Sequence, residues 1–385
     1  MKRLARLATK NRKRVIGLMS GTSADGIDAA LVEIRDHGLQ SRVQLIECVT
    51  VPYSPRLREA VLALGTGKVE DLCRMNFVLG ERFAEAALTL LRTADMGTDE
   101  IDLIGSHGQT IHHVPRSQGD VASSLQIGEA DVIAERLGVP VISDFRTRDI
   151  AAGGEGAPLS AYVDYLLFHR ERTPRALLNL GGIANVTIVT ESIEEVFAFD
   201  TGPANMPLDE TVRVLTSGRE HFDRGGRMAA KGRIDENLLQ RLHAHPYFQL
   251  PIPKTTGRET FGQAFVLPLL RAKGNNRGVD ILATLTAFCA QSIKKAFDEY
   301  VAPRTDTTEV LVSGGGVHNL TLMNHLCRLF GRMPVLPVEE VGVDPDAKEA
   351  VIFAVLANET LHGIPNNVPG ATGARWPTVL GKISP

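Results

Sequence analysis

Three glycine-rich turns and one acidic residue carry the chemistry that this chain could do. In the run Gly21, Thr22, Ser23, Ala24, Asp25, Gly26, Ile27 and Asp28, every residue but Ile27 is small or polar. An apolar strand enters this run and another leaves it. Bare amides at such a turn can close on anionic oxygens, the hydroxyls of Thr22 and Ser23 add donors, and Asp25 could stand near a Mg²⁺ ion. The same hairpin pattern returns in ALLNLGGIANVTIV, residues 176–189, where Gly181 and Gly182 form the tip and Asn185 follows. A third turn, SGGGVHN, follows the strand at 309–312 with Gly314, Gly315 and Gly316 and then Asn319. Its glycines would let a flat base or sugar lie on the backbone, with a helix N-terminus nearby for a phosphate. Asp200 closes the strand expected at 196–199 and suits a general base. Each feature also has a plainer reading as a hairpin tip, a strand-to-helix turn or an Asx-turn. Two matching hairpins about a domain apart favour a shared polyphosphate ligand.

Further candidates stand where buried strands give way to polar residues. These are His107 in GSHGQT, and Arg146 and Arg148 beside Asp144 in SDFRTRD. Guanidinium forks match carboxylate geometry, so His107 and Arg148 suit a sugar or carboxylate substrate. Glu349 opens the last apolar helix, as a substrate contact or as a complement to the helix dipole. No Walker A loop occurs, and GGEG at 153–156 lacks the preceding apolar strand of a dinucleotide fingerprint.

The elements that must hold these groups are mixed. Helical spacing appears at 55–64, 69–93, 279–300, 320–330 and 345–361, with strands at 43–51, 101–105 and 139–143 besides the two hairpins. Interleaved strands and helices with no Ser/Pro-rich linker predict an α/β chain of two domains packed against a cleft. The expected division is 15–143 with 363–385 as the first domain and 144–362 as the second, after a basic flexible tail at 1–14.

Composition narrows the function. With 385 residues, 43% apolar, and a net charge of −3, the chain has material for two cores and no global field to recruit nucleic acid or an anionic membrane. The four cysteines show no metal-ligand spacing, and no apolar run approaches a membrane span. They read as reduced thiols of a cytoplasmic protein.

Taken in order, MSGTSADGID, GSHGQTIHH, SDFRTRDIAAGGEGAPL, NLGGIANVT, FDTGPAN and SGGGVHN resemble the anhydro-N-acetylmuramic acid kinase family, within the actin, hexokinase and Hsp70 ATPase superfamily. The resemblance implies a two-domain actin-like ATPase (ribonuclease H-like) fold with a central interdomain cleft. It implies that ATP and water turn 1,6-anhydro-N-acetylmuramic acid into N-acetylmuramic acid 6-phosphate and ADP, with Mg²⁺, in a homodimer that recycles cell-wall sugar. On that pattern residues 21–28 form the phosphate loop, Gly314 to Gly316 face the nucleoside, Asp200 is the base, and His107, Arg148 and Glu349 contact the sugar. The alternatives are a superfamily kinase acting on another sugar or on a carboxylate, a catalytically silent sugar sensor, and an actin-type nucleotide-binding protein.

Overall fold

The computed structural model describes residues 2–21, 23–116, 121–252, 254, 256–273, 277–341 and 344–385. The chain divides into two compact units, Met1–Leu167 with Asp344–Pro385, and Phe168–Val343.

The first unit is built on β1 (Arg12–Ser20), β2 (Gly26–Arg35), β3 (Arg42–Pro52), β4 (Leu103–Val114), β5 (Ser123–Ile127) and β6 (Val141–Ser143). The order is β6-β4-β1-β2-β3, with β5 paired to β4 and a final strand, Lys382–Ser384, added beside β6. β1, β2 and β3 alternate in direction, whereas β4 runs parallel to β1 and β6 parallel to β4. The second unit holds β7 (Arg175–Leu180), β8 (Ile183–Val189), β9 (Phe197–Pro203), β10 (Glu309–Ser313) and β11 (Val335–Pro337). Its order is β11-β10-β7-β8-β9, with the same alternation and the same parallel pairs. With β5 set aside as a hairpin extension of β4, and counted within its own unit, each sheet's five-strand core reads fifth, fourth, first, second, third. This is the ribonuclease H-like pattern, present twice, and the two glycine hairpins are its first two strands in each copy.

Helix placement follows from side-chain size. The Val69–Thr93 helix buries Leu79, Phe83, Ala86, Ala87 and Leu90, spaced three or four apart, on one face of the first sheet. The Pro345–Leu361 helix covers the opposite face. There Gly17 of β1 and Gly105 of β4 lie side by side in register. A Cβ on Gly17 would sit 1.8 Å from the Ala350 carbonyl oxygen, and one on Gly105 2.0 Å from that of Phe353. Only glycine allows this backbone-to-backbone approach. The approach also explains why 344–362 belongs with the first unit rather than with the second, as expected from the order of motifs. Residues 144–167 fall there too: Phe145 is buried 5.5 Å from the Phe353 ring of that helix.

The N-terminal segment is not the expected free tail. Lys2–Ala8 is a helix that buries Leu4 and Leu7, and β1 begins at Arg12, paired with Arg35. Three of its cations are held: Lys10 meets Asp102 at 2.7 Å, Arg12 meets Glu33, and Lys13 is buried with its Nζ donating to the Lys10 carbonyl. Among the described residues no helix is long and apolar enough to cross a membrane.

Candidate active site

In the second unit, the tip of the β7–β8 hairpin caps a helix. The Gly182 carbonyl accepts from the Ala204 and Met206 N–H groups, and the Gly181 carbonyl accepts from Asn205 N–H. The first amides of the Asn205–Leu215 helix are thereby satisfied. The SGGG turn leans on the same tip. A Cβ on Gly314 would meet Asn179 Oδ1 at 2.6 Å and one on Gly316 would meet Leu180 Cβ at 2.5 Å, whereas Gly315 has open space within 4 Å. Two of the three glycines therefore let the turn pack, and the middle one presents bare backbone. Asn319 is the N-cap of the Leu320–Phe330 helix, its Oδ1 accepting from Leu322 N–H. That is a structural duty in addition to the nucleotide contact expected of it.

Asp200 does not end its strand. β9 continues to Pro203 because a bulge at Thr201 lets pairing resume, with Asn185 opposite Asp200 and Ala184 opposite Gly202. Bulges of this kind re-aim a side chain. Register then places Ser313, Asn179, Asn185 and Asp200 on one rung across four strands, so their side chains share a face. The Asp200 carboxylate Oδ2 accepts from Thr256 N–H at 2.9 Å. Asp200 N–H donates to the Lys254 carbonyl at 3.0 Å, and Tyr247 Oη donates to the Asp200 carbonyl at 2.6 Å. The Thr256 hydroxyl is buried with no partner among the described residues.

In the first unit, the β1–β2 turn is braced from below. Ala24 N–H and Gln109 Nε2 both donate to the Gly21 carbonyl, and Tyr53 N–H donates to that of Asp25. Ala24 and Ile27 point into the core, and Gly26 is required by packing, since a Cβ there would lie 2.6 Å from the Val51 oxygen. Ser23 and Asp25 are exposed, with Asp25 Oδ1 paired to Arg58 at 2.9 Å. Thr22 lies outside the described residues.

β4 runs on past its expected end because the polar segment to Val114 pairs with β5, so His107 is a mid-strand residue. It is buried against Phe353, ring centroids 4.5 Å apart. Arg146 Nε donates to its Nε2 at 3.0 Å, which leaves Nδ1 to carry the proton and donate to the Gly108 carbonyl, also at 3.0 Å. Burial first, and Arg146 second, hold the His107 pKa well below its usual value, so the ring is neutral. Burial also draws Arg146 down to about 10, against the pull of Glu349 and Asp149. Glu349 keeps solvent contact. Crowding by protein, and then the nearby Asp28, raise its carboxyl pKa, with Lys348 and Arg146 opposing. Thus His107, Arg146, Glu349 and Asp28 form one electrostatic group. Arg148, two residues from Arg146 on the Phe145–Ala151 helix, points elsewhere and is exposed.

The motif offers Arg146 and Arg148 alike, and it is Arg146 rather than Arg148 that meets His107; Asp149, three residues on, is a support that the motif does not single out. The buried Asp149 carboxylate accepts from Gly156 N–H, Asn367 Nδ2 and Thr372 Oγ1. It thereby shapes the loop whose Gly156 carbonyl holds Arg146 at 2.6 Å.

Asp209, on the Asn205–Leu215 helix, has its pKa raised to about 7 by burial and, less, by Glu210, with Arg213 opposing. A carboxyl whose folded value exceeds its unfolded value loses stability as pH rises between the two. Asp209→Asn should leave thermal stability unchanged at pH 4 and raise it above pH 7, on the order of 1–3 kcal/mol after allowing for solvent screening. Melting curves at the two pH values check this; equal shifts at both would contradict it.

Two ribonuclease H-like sheets, each presenting a glycine hairpin, define the class as a duplicated actin-like phosphotransferase fold. The model of the family described as anhydro-N-acetylmuramic acid kinase matches residues 13–385. A curated relative of that name from Caldanaerobacter subterraneus subsp. tengcongensis is 46% identical, covering 100% of both chains. Another, from Francisella tularensis subsp. novicida, is 43% identical over 97% of this chain and 98% of its own. Among solved structures, a ROK family glucokinase from Streptomyces griseus in complex with glucose and AMPPNP aligns with a TM-score of 0.40 and 12% identity, over 90% of this chain and 99% of that one. The chain belongs to the anhydro-N-acetylmuramic acid kinase family.

Proposed function

We propose that this kinase opens the 1,6-anhydro bridge of anhydro-N-acetylmuramic acid with water activated by Asp200 and transfers the γ-phosphoryl group of ATP to O6. In a 1,6-anhydro sugar O6 is tied to C1, so no free hydroxyl awaits a base, and the base must act on water. Asp200 takes a proton from water as its oxygen bonds to C1. The C1–O6 bond breaks, and O6 attacks the γ-phosphorus as the bond to the β,γ-bridging oxygen breaks and ADP leaves. The base later returns its proton to solvent. The observation that carries this reading is the rung: Asp200 stands beside a bulge, one oxygen fixed by a backbone N–H, on the face shared with Asn185 and Asn179.

The turn of residues 21–28, through its backbone and Ser23, and Gly181 and Gly182 would hold phosphates, and Gly314 to Gly316 the nucleoside, with Gly315 open to it. His107 and Glu349 would hold the sugar, with Arg146 fixing the His107 tautomer; Arg148, turned to solvent on another side of the same helix, does not join them. Mg²⁺ retains waters and phosphate oxygens and needs only one or two carboxylates. The exposed Asp25 carboxylate fits that demand, while no cluster of three ligating side chains occurs among the described residues. Bound there, the ion would neutralise charge on the phosphoryl oxygens. A cytoplasmic setting and a homodimer are what the family suggests; none of the four cysteines is in a disulfide among the described residues, and light scattering would check the homodimer.

ADP release with a panel of amino sugars and their 1,6-anhydro forms tests the substrate. The anhydro-muramic form should turn over at least 100-fold faster than its hydrated counterpart. Preference for a free-hydroxyl sugar, or no turnover with any sugar, would overturn the assignment.

A further inference from the structure

A buried lysine in the second unit keeps its ammonium away from the groups assigned above, while its backbone is bonded to one of them, Asp200. Lys254 is 6% exposed. Its Nζ lies 4.9 Å from the ring centroid of Tyr247 and 5.0 Å from that of Tyr300. A cation between two aromatic faces is well seated, since each ring presents its negative quadrupole to it. The anchor is tied to Asp200 by three separate bonds. The Lys254 carbonyl accepts from Asp200 N–H at 3.0 Å, the Thr256 N–H two residues on donates to the carboxylate Oδ2 at 2.9 Å, and Tyr247, one wall of the cage, donates to the Asp200 carbonyl at 2.6 Å. Tyr300, the other wall, is itself tethered by its hydroxyl to the Leu250 carbonyl at 3.2 Å and packs edge-on against Phe199, the neighbour of Asp200.

We propose that Lys254 is a positioning residue: its caged ammonium pins residues 254 and 256 across β9, so that Thr256 N–H fixes the orientation of the Asp200 carboxylate toward the water it activates. The inference rests on Asp200 being the base. Burial lowers the lysine pKa, with Glu299 opposing and Lys295 adding to the fall. A cage that costs the cation solvation is useful only if it holds something in place. A misoriented general base loses rate without losing substrate, because positioning acts on the transition state more than on the bound ground state.

The test is a double-mutant cycle on purified full-length protein with ATP and 1,6-anhydro-N-acetylmuramic acid. Lys254→Met should lower kcat about 10- to 100-fold while KM for ATP stays within about twofold. Lys254→Arg, which keeps a cation between the rings, should recover most of the rate. Tyr300→Leu, which removes one half-exposed wall, should lower kcat less, and it serves if Lys254→Met does not fold. In the Asp200→Asn background Lys254→Met should have no further effect, since both act through one carboxylate. With Asp200→Asn slowed but still measurable, a normal kcat in Lys254→Met and Tyr300→Leu, multiplicative losses in the double variant, or no recovery with arginine would overturn the role of Lys254 alone. A fully active Asp200→Asn would overturn the base assignment and the inference together.

Discussion

Asp200→Asn should lower kcat by at least 10²- to 10⁴-fold, the range general-base assistance supplies, while ATP binding measured by calorimetry stays within about threefold. The amide is nearly isosteric, so β9, its bulge and the rung with Asn185 should persist. An amide in place of the carboxylate can no longer take a proton from water, and that deficit falls on the chemical step. Near-normal turnover would remove Asp200 from the mechanism. Loss of ATP binding together with turnover would instead show a structural role for the residue.

The second large effect concerns folding. Gly17→Ala and Gly105→Ala each insert a methyl where the carbonyl of the Pro345–Leu361 helix already lies 1.8 Å and 2.0 Å from the Cβ position. Neither neighbour is a flexible side chain, so the helix must lift from the sheet and expose part of the apolar face between them. Overpacking against backbone costs about 3 kcal/mol or more, which for a unit of this size is a fall of roughly 6–12 °C in Tm. The same substitution at Gly315, with open space around its Cβ position, should shift Tm by less than about 2 °C. Thermal unfolding of the three variants separates them. Equal shifts would mean that the helix does not rest on the glycines.

What could be read from residues alone follows from how local its cause was. The Val69–Thr93 helix has an apolar residue every three or four positions, and both hairpins carry their turn chemistry at the tip, so these stood out. Sequence alone ends β4 at 105 and β9 at 199, because GQTIHH and DTGP look like loop sequence, whereas β4 runs to Val114 and β9 to Pro203. Their continuation depends on pairing with β5 and on a bulge opposite Asn185, neither of which has a local signature. The place of residues 344–362 was hidden for a similar reason: isolated glycines in β1 and β4 give no sign that a helix from the far end of the chain will lie on them. Arg146 and Arg148 look equivalent in SDFRTRD, and only the helix geometry turns one toward His107 and the other to solvent. Asn179 and Asn185 could have been paired by counting outward from the Gly181 turn. Lys254 could not, because its aromatic cage joins positions 247, 254 and 300.

The central claim is that solvent, activated by Asp200, becomes the anomeric hydroxyl of the product. Turnover in ¹⁸O-water, quenched before the product exchanges its anomeric oxygen and compared with product merely incubated in that water, measures this directly. One label at C1 and none in the transferred phosphate is the predicted mass pattern. Promptly quenched product without label at C1, or label carried on phosphate, would contradict the account.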